Sequence, residues 1–198
     1  QSGVGKSSLL QAGLIPTVKH NHIDSFQVVP ILQRVYTDWI QELGKGLTQA
    51  LEDTQYFTNL PKFNTLEEII HQLQVNTNKD LITLLIFDQF EELFFALHKP
   101  DERRNFYNFL KKCLDIPYVK VILALREDYL HFLLECNDRL VNLDIVGNNI
   151  LDRRILYHVG NWQSEQAKSL IKNITKQTPF RLEESLIDRV VQDLSEEF

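Results

Sequence analysis

Short apolar runs bounded by turn residues alternate along this chain with longer stretches in which apolar residues recur every three or four positions. The first rhythm predicts strands and the second amphipathic helices. Leu81–Phe87 (LITLLIF) is almost wholly apolar, as a parallel strand covered on both faces should be, and Val119–Leu125 (VKVILAL) is a second such run. Ser25–Gln33 (SFQVVPILQ) predicts a third strand, with Pro30 marking a sheet edge or the strand's end, because proline donates no ladder hydrogen bond. Helical spacing appears at Trp39, Ile40, Leu43, Leu47 and Leu51 behind a candidate N-cap at Asp38. Thr65 and Glu68 form a capping box that opens a helix through about Val75, and Asp101–Leu114 predicts another. The opening helix should run from about Lys6 to Gly13, stopped by Gly13 and Pro16. Ile155–Val159 predicts a last short strand, followed by helices over about Ser164–Thr175 and Glu183–Glu196. Strands alternating with helices predict an α/β fold in three layers, a parallel sheet with helices on both faces. Helical signals dominate after Gly160, so an α/β core is expected at 1–160 and the start of a helical domain at 161–198.

Composition narrows the function classes. A chain of 198 residues can bury a substantial core, and a net charge of −6 argues against the clustered Lys and Arg that nucleic acid requires. No basic run exceeds a pair. Cys113 and Cys136 lie far apart without metal-type spacing, which favours buried thiols in a reducing, cytoplasmic setting over a disulfide framework. The six histidines show no ligand spacing either. No apolar run reaches the length a membrane helix needs.

Chemistry enters at the first residues. Gly3-Val4-Gly5-Lys6-Ser7-Ser8 has the form of the back half of a phosphate-binding loop, whose first glycine would fall one position before Gln1. Glycines let backbone N–H groups close around phosphate, and the helix that follows offers its positive end to the same anion. Lys6 is the expected charge on the β- and γ-phosphates and Ser7 the expected Mg²⁺ ligand. The interrupted loop and the absence of methionine are the pattern expected of an internal fragment that lacks the sheet's first strand.

Two further constellations follow buried strands. Asp88-Gln89-Phe90-Glu91-Glu92 places a carboxylate at the C-terminal tip of Leu81–Phe87, the edge at which open parallel sheets bind ligands. Asp88 is therefore the second candidate Mg²⁺ ligand, and Glu91 or Glu92 the candidate general base for an attacking water. Spacing does not choose between the two glutamates. Leu125-Arg126-Glu127-Asp128 puts Arg126 at the same edge, where a guanidinium can read the γ-phosphate; the bland alternative is an ion pair with Glu127 or Asp128. Asp128 is also a candidate cap for a helix whose Tyr129, Phe132 and Leu133 face the core, and Phe87, Phe90, Phe94 and Phe95 are expected as core. No Asn-Lys-x-Asp guanine reader or Asp-x-x-Gly switch is present, so ATP is expected over GTP.

The segments GVGKSSLLQAGLIP, LLIFDQFEELF and ILALREDYL, in that order, together resemble the STAND class of P-loop NTPases, and in particular its novel STAND NTPase group, often found upstream of WD-type or TPR-type repeats. The resemblance spans nearly the whole chain, because RILYHVGNWQSEQAKSLI is similar to the lead into that group's helical lid. It implies a P-loop core with VKVILAL between the P-loop strand and the strand bearing Asp88. It also implies an ATP-dependent switch that rests with ADP and self-associates on a signal, with fused sensor repeats and an effector domain lying outside this chain. A nucleotide-binding oligomerisation scaffold with little or no hydrolysis is the competing expectation.

Overall fold

In the computed structural model, residues 5–57, 60–135, 152, 154–160, 163–176, 178 and 182–196 are described. The chain divides into two compact units, Gln1–Tyr157 and His158–Phe198.

Three parallel strands form the sheet of the first unit: β1 (Gln27–Gln33), β2 (Leu81–Phe87) and β3 (Val119–Leu123), in the order β1-β2-β3. Gln33 pairs with Phe87 and Phe87 with Leu123, so the C-terminal ends of all three strands finish level. Pro30 lies inside β1, opposite Leu84, on an edge strand among the described residues. Alternation along the strands builds two apolar layers. Val28, Leu84 and Ile86 meet Leu10, Leu14, Ile15 and Val18 of the first helix on one face. Val29, Ile31, Leu81, Leu85 and Phe87 meet the other helices on the opposite face. This is the three-layer α/β arrangement that the strand periodicity predicts.

The first helix, α1, corrects its expected end. It runs unbroken through an α-helical turn (Lys6–Ser8), a π-helical segment (Leu9–Leu14) and a final α-helical stretch (Ile15–His20), so neither Gly13 nor Pro16 stops it. The Ile15 N–H reaches back to the Leu10 carbonyl, and this wider turn relieves the clash between a proline ring and the preceding turn that ends a regular helix.

On the opposite face lie α2 (Trp39–Glu52), α3 (Leu66–Thr77), a short α4 (Glu92–Ala96) and α5 (Pro100–Leu114), followed by α6 (Leu130–Glu135). Asp38 stands at the N-cap of α2 but its side chain makes no capping bond. The capping box is present: the Glu68 N–H donates to Thr65 Oγ1 at 3.2 Å, and the Thr65 N–H to Glu68 Oε2 at 3.0 Å. A buried polar chain ties α3 to the central strand, with Gln72 Nε2 donating to Asn76 Oδ1 at 2.9 Å and Asn76 Nδ2 to Thr83 Oγ1 at 3.1 Å. These partners explain how Thr83 sits inside an otherwise apolar strand.

Gly44 of α2 packs directly on the backbone of Phe63, where an added Cβ would lie 1.9 Å from the Phe63 carbonyl oxygen. Gly44→Ala is expected to lower stability by about 1–3 kcal/mol, because overpacking against a backbone atom outweighs the helix-propensity gain of about 1 kcal/mol. Urea unfolding checks this; a variant as stable as wild type would show that the Phe63 loop simply moves away.

Two sequence expectations fail around the later segments. Ile155–Val159 forms no strand, and Ile155, Leu156 and Tyr157 are exposed with no strand edge to pair among the described residues. Phe87, Phe90 and Phe94 are core as expected, but Phe95 is exposed and meets Tyr129 edge-on at 5.5 Å. In the second unit α7 (Ser164–Lys176) and α8 (Glu184–Glu196) pack together, joined by the Lys168–Asp188 and Lys172–Glu184 ion pairs at 2.8 and 2.6 Å, and Ile187 and Val191 of α8 are buried. No described helix is long and apolar enough to cross a membrane.

Candidate functional site

The level C-terminal ends of the strands carry the polar residues together. Ser7 stands in the first turn of α1, a helix that begins immediately after Gly5, whose φ of 83° is the left-handed conformation that glycine adopts without strain. Lys6 is half-buried and Ser8 exposed in the same turn, while Gly3 and Val4 lie outside the described residues. The Ser7 hydroxyl donates to Asp88 Oδ1 at 3.0 Å, joining two motifs 81 positions apart.

Asp88 is 1% exposed at the tip of β2. Its N–H donates to the Gln33 carbonyl at 2.9 Å, and its own carbonyl accepts the Tyr36 hydroxyl at 2.8 Å. The phenol stays protonated for this bond. Burial, and then the charges of Asp88, Glu91 and Glu92, push its pKa well above the usual tyrosine value. Oδ1 also accepts the Gln89 N–H at 3.0 Å. Oδ2 is buried without a hydrogen bond; Arg34 Nε lies 3.3 Å away as an ion-pair partner, but without the alignment of a hydrogen bond.

The turn after Asp88 decides where the glutamates go. Gln89 adopts a positive φ of 53°, an uncommon conformation for a residue with a side chain, and the chain reverses there. Phe90 is thereby driven into the core, its N–H donating to the Ala124 carbonyl at 2.8 Å. Glu91, 8% exposed, turns to the same sheet edge, where its Oε2 accepts the Arg126 N–H at 3.3 Å. Glu92 is exposed. The structure thus brings Ser7, Asp88, Glu91 and the Arg126 backbone together and leaves the Glu92 side chain outside.

The Arg126 guanidinium takes the bland alternative: it holds Asp128 at 2.6 Å. That bond keeps the Asp128 carboxyl below its usual range and raises Arg126. Asp128 lies inside a single 3₁₀ turn (Glu127–Tyr129) and does not cap it, because its carboxylate is committed to Arg126. Leu133 is buried as expected, with Tyr129 and Phe132 partly so. Cys113 is fully buried and burial pushes its thiol up to about 12, so it carries no nucleophilic chemistry at neutral pH; Cys136 lies outside the described residues.

Arg34 and Tyr36 belong to no motif. Their one sequence signal is position, just beyond the C-terminal end of a strand, the edge at which parallel sheets bind ligands. The donor set at this edge fits Mg²⁺, which takes oxygen ligands and commonly combines one or two carboxylates with substrate phosphates. Asp88 Oδ2 is a buried carboxylate oxygen lacking a hydrogen bond, with the Ser7 hydroxyl beside its twin. No group of three or more His, Cys, Asp or Glu side chains able to hold a metal occurs among the described residues. A cavity of about 630 Å³ lies between the start of α2, α3 and α5, lined by Trp39, Ile70, His71 and Phe109, and contains none of these groups.

No curated protein matches the chain. Among solved structures it is similar to the ORC2 protein of Aeropyrum pernix, in its ADPNP–ADP complexes, with a TM-score of 0.61 at 11% sequence identity. The match covers 89% of this chain and 43% of that one, so this chain spans less than half the length of its structural relative. At that identity the likeness bears on the fold, which is that of a P-loop NTPase. The family model for Novel STAND NTPase 1 matches residues 1–198. The chain therefore belongs to the novel STAND NTPase 1 family of nucleotide-binding NTPases.

Proposed function

We propose that this domain is an ATP-binding, slowly ATP-hydrolysing switch that gates self-association or an effector. The observation that carries the reading is the 3.0 Å contact between Ser7 and Asp88, with Asp88 Oδ2 buried and lacking a hydrogen bond beside it. Gly3, Val4, Gly5, Lys6, Ser7 and Ser8 are assigned to the phosphates, and Ser7 and Asp88 to Mg²⁺. When bound, the ion would supply positive charge to offset that of the phosphates these residues hold.

Glu91 is the better-placed base. It is the glutamate turned to the sheet edge, whereas a base must stand within hydrogen-bond reach of the attacking water. Holding that water and accepting its proton is the role assigned to Glu91. Arg126 must exchange Asp128 for the γ-phosphate to act as a sensor, and that exchange would couple nucleotide state to the segment after β3. ADP in the resting state, fused sensor repeats and an effector domain complete the proposed switch, in a cytoplasmic setting.

The scaffold reading, nucleotide binding with little or no hydrolysis, draws support from the same ion pair, since Arg126 engaged by Asp128 is withdrawn from catalysis. Titration of the full-length protein with ATP and GTP, with and without Mg²⁺, tests the proposal. ATP binding that needs Mg²⁺ and falls by about 100-fold or more in Lys6→Ala is expected, since removing a charge-assisted contact to phosphate costs several kcal/mol. Binding of neither nucleotide would sink both readings, and binding without turnover would leave the scaffold.

A further inference from the structure

The Arg34–Asp88 pair is used by none of the roles above. Asp88 is almost wholly buried, and an ionised carboxylate in that setting needs a cation. Its two oxygens are treated unequally. Oδ1 accepts two hydrogen bonds, from the Ser7 hydroxyl and the Gln89 N–H, both at 3.0 Å. Oδ2 accepts none and has Arg34 Nε at 3.3 Å.

We propose that Arg34 is an exchangeable counter-ion at the metal position: it neutralises Asp88 Oδ2 while no divalent cation is present and yields that oxygen when one arrives. The inference rests on the reading of Asp88 as the metal ligand. A permanent guanidinium partner would grip the carboxylate with two parallel N–H bonds and be buried with it. Arg34 instead offers one misaligned nitrogen from a side chain that is 43% exposed, so its departure breaks no buried hydrogen bond. Its backbone, by contrast, is pinned on both sides. Gln33 accepts the Asp88 N–H at 2.9 Å, and the Tyr36 hydroxyl donates to the Asp88 carbonyl at 2.8 Å. The side chain can leave while its anchor stays against the strand tip. Glu91, the buried carboxylate turned to the same edge, strengthens the demand for positive charge there.

The test is Mn²⁺ affinity without nucleotide, read by electron paramagnetic resonance on the full-length protein. Arg34→Gln removes the competing charge and is expected to bind Mn²⁺ about tenfold more tightly than wild type, the scale on which one adjacent charge shifts the affinity of a carboxylate for a cation. Arg34→Lys keeps the charge and stays near wild type. Mn²⁺ should also raise the melting temperature of Arg34→Gln more than that of wild type, because the ligand replaces the missing counter-ion. Equal or weaker binding in Arg34→Gln, with wild-type binding intact, overturns the role of Arg34 alone. No Mn²⁺ binding in wild type, with or without ATP, overturns the metal assignment of Asp88 and the inference with it. If Arg34→Gln does not fold without metal, folding restored by Mn²⁺ but not by sodium chloride of equal ionic strength supports the exchange, and failure of Mn²⁺ to restore it overturns the exchange.

Discussion

Glu91→Gln is expected to lower ATP turnover by about 10²–10⁴-fold while leaving ATP affinity near wild type, the range that a positioned general base contributes. The amide is nearly the same shape as the carboxylate, and its carbonyl can still accept the Arg126 N–H that Glu91 Oε2 accepts at 3.3 Å. The local fold is therefore retained while the basicity is lost. Glu92→Gln, on the exposed side of the turn, should leave turnover unchanged. Single-turnover hydrolysis alongside a separate binding titration distinguishes the outcomes. Loss in Glu92→Gln and not in Glu91→Gln would move the base to Glu92 and require the turn at Gln89 to rearrange on nucleotide binding. Loss in neither would remove the general-base role from both glutamates.

The largest effect on stability is expected at Phe106. Its ring is fully buried and meets Trp39 at 4.9 Å, Phe87 at 5.3 Å and Phe90 at 5.6 Å, joining α5 to α2 and to the strand that ends at Asp88. Phe106→Ala should cost about 3–5 kcal/mol, from lost transfer energy and from the cavity left among rigid aromatic neighbours. That is a large share of the roughly 5–15 kcal/mol a domain possesses. Phe95→Ala is the contrast: half its surface is exposed, and a change within about 0.5 kcal/mol is expected. Urea unfolding of both variants checks the pair. A loss below about 1 kcal/mol at Phe106 would mean that the aromatic cluster repacks freely, contrary to the close packing expected of such a core.

The two effects share one structural cause. Phe87 and Phe90 bracket Asp88, and each is held in the core by Phe106. The strand tip carrying Asp88 is therefore rigid, while Arg34 and Arg126 reach the same edge with partly exposed side chains paired to carboxylates.

Much of this was legible in the sequence because the signals are local. LITLLIF declares a buried strand through its near-continuous apolarity, and the Thr65–Glu68 box is complete within four residues, because period and capping are properties of a few neighbouring residues. VKVILAL also forms a strand, over Val119–Leu123, but it is less buried than expected, with Lys120 exposed and only Val119 fully covered. The order of phosphate loop, strand-tip aspartate and Arg126 likewise identified the family without coordinates. What local pattern could not decide were the matters that depend on residues distant in sequence. Pro16 and Gly13 read as a stop, yet a π-helical turn carries the helix through them while Leu10, Leu14, Ile15 and Val18 are buried against the sheet. Ile155–Val159 has strand-like residues but no edge to pair with among the described residues. Glu91 and Glu92 are adjacent and chemically identical, and only the left-handed turn at Gln89, set by where Phe90 must pack, sends one to the site and the other to solvent. Arg34 has no motif at all; parallel pairing of β1 with β2 carries it to Asp88, more than fifty positions along the chain. The sequence alone determined which elements form and which chemistry they bear, because those depend on short-range periodicity and residue type. The tertiary structure decided which charged groups face one another, because that depends on strand register and on how each turn is forced by the core beneath it.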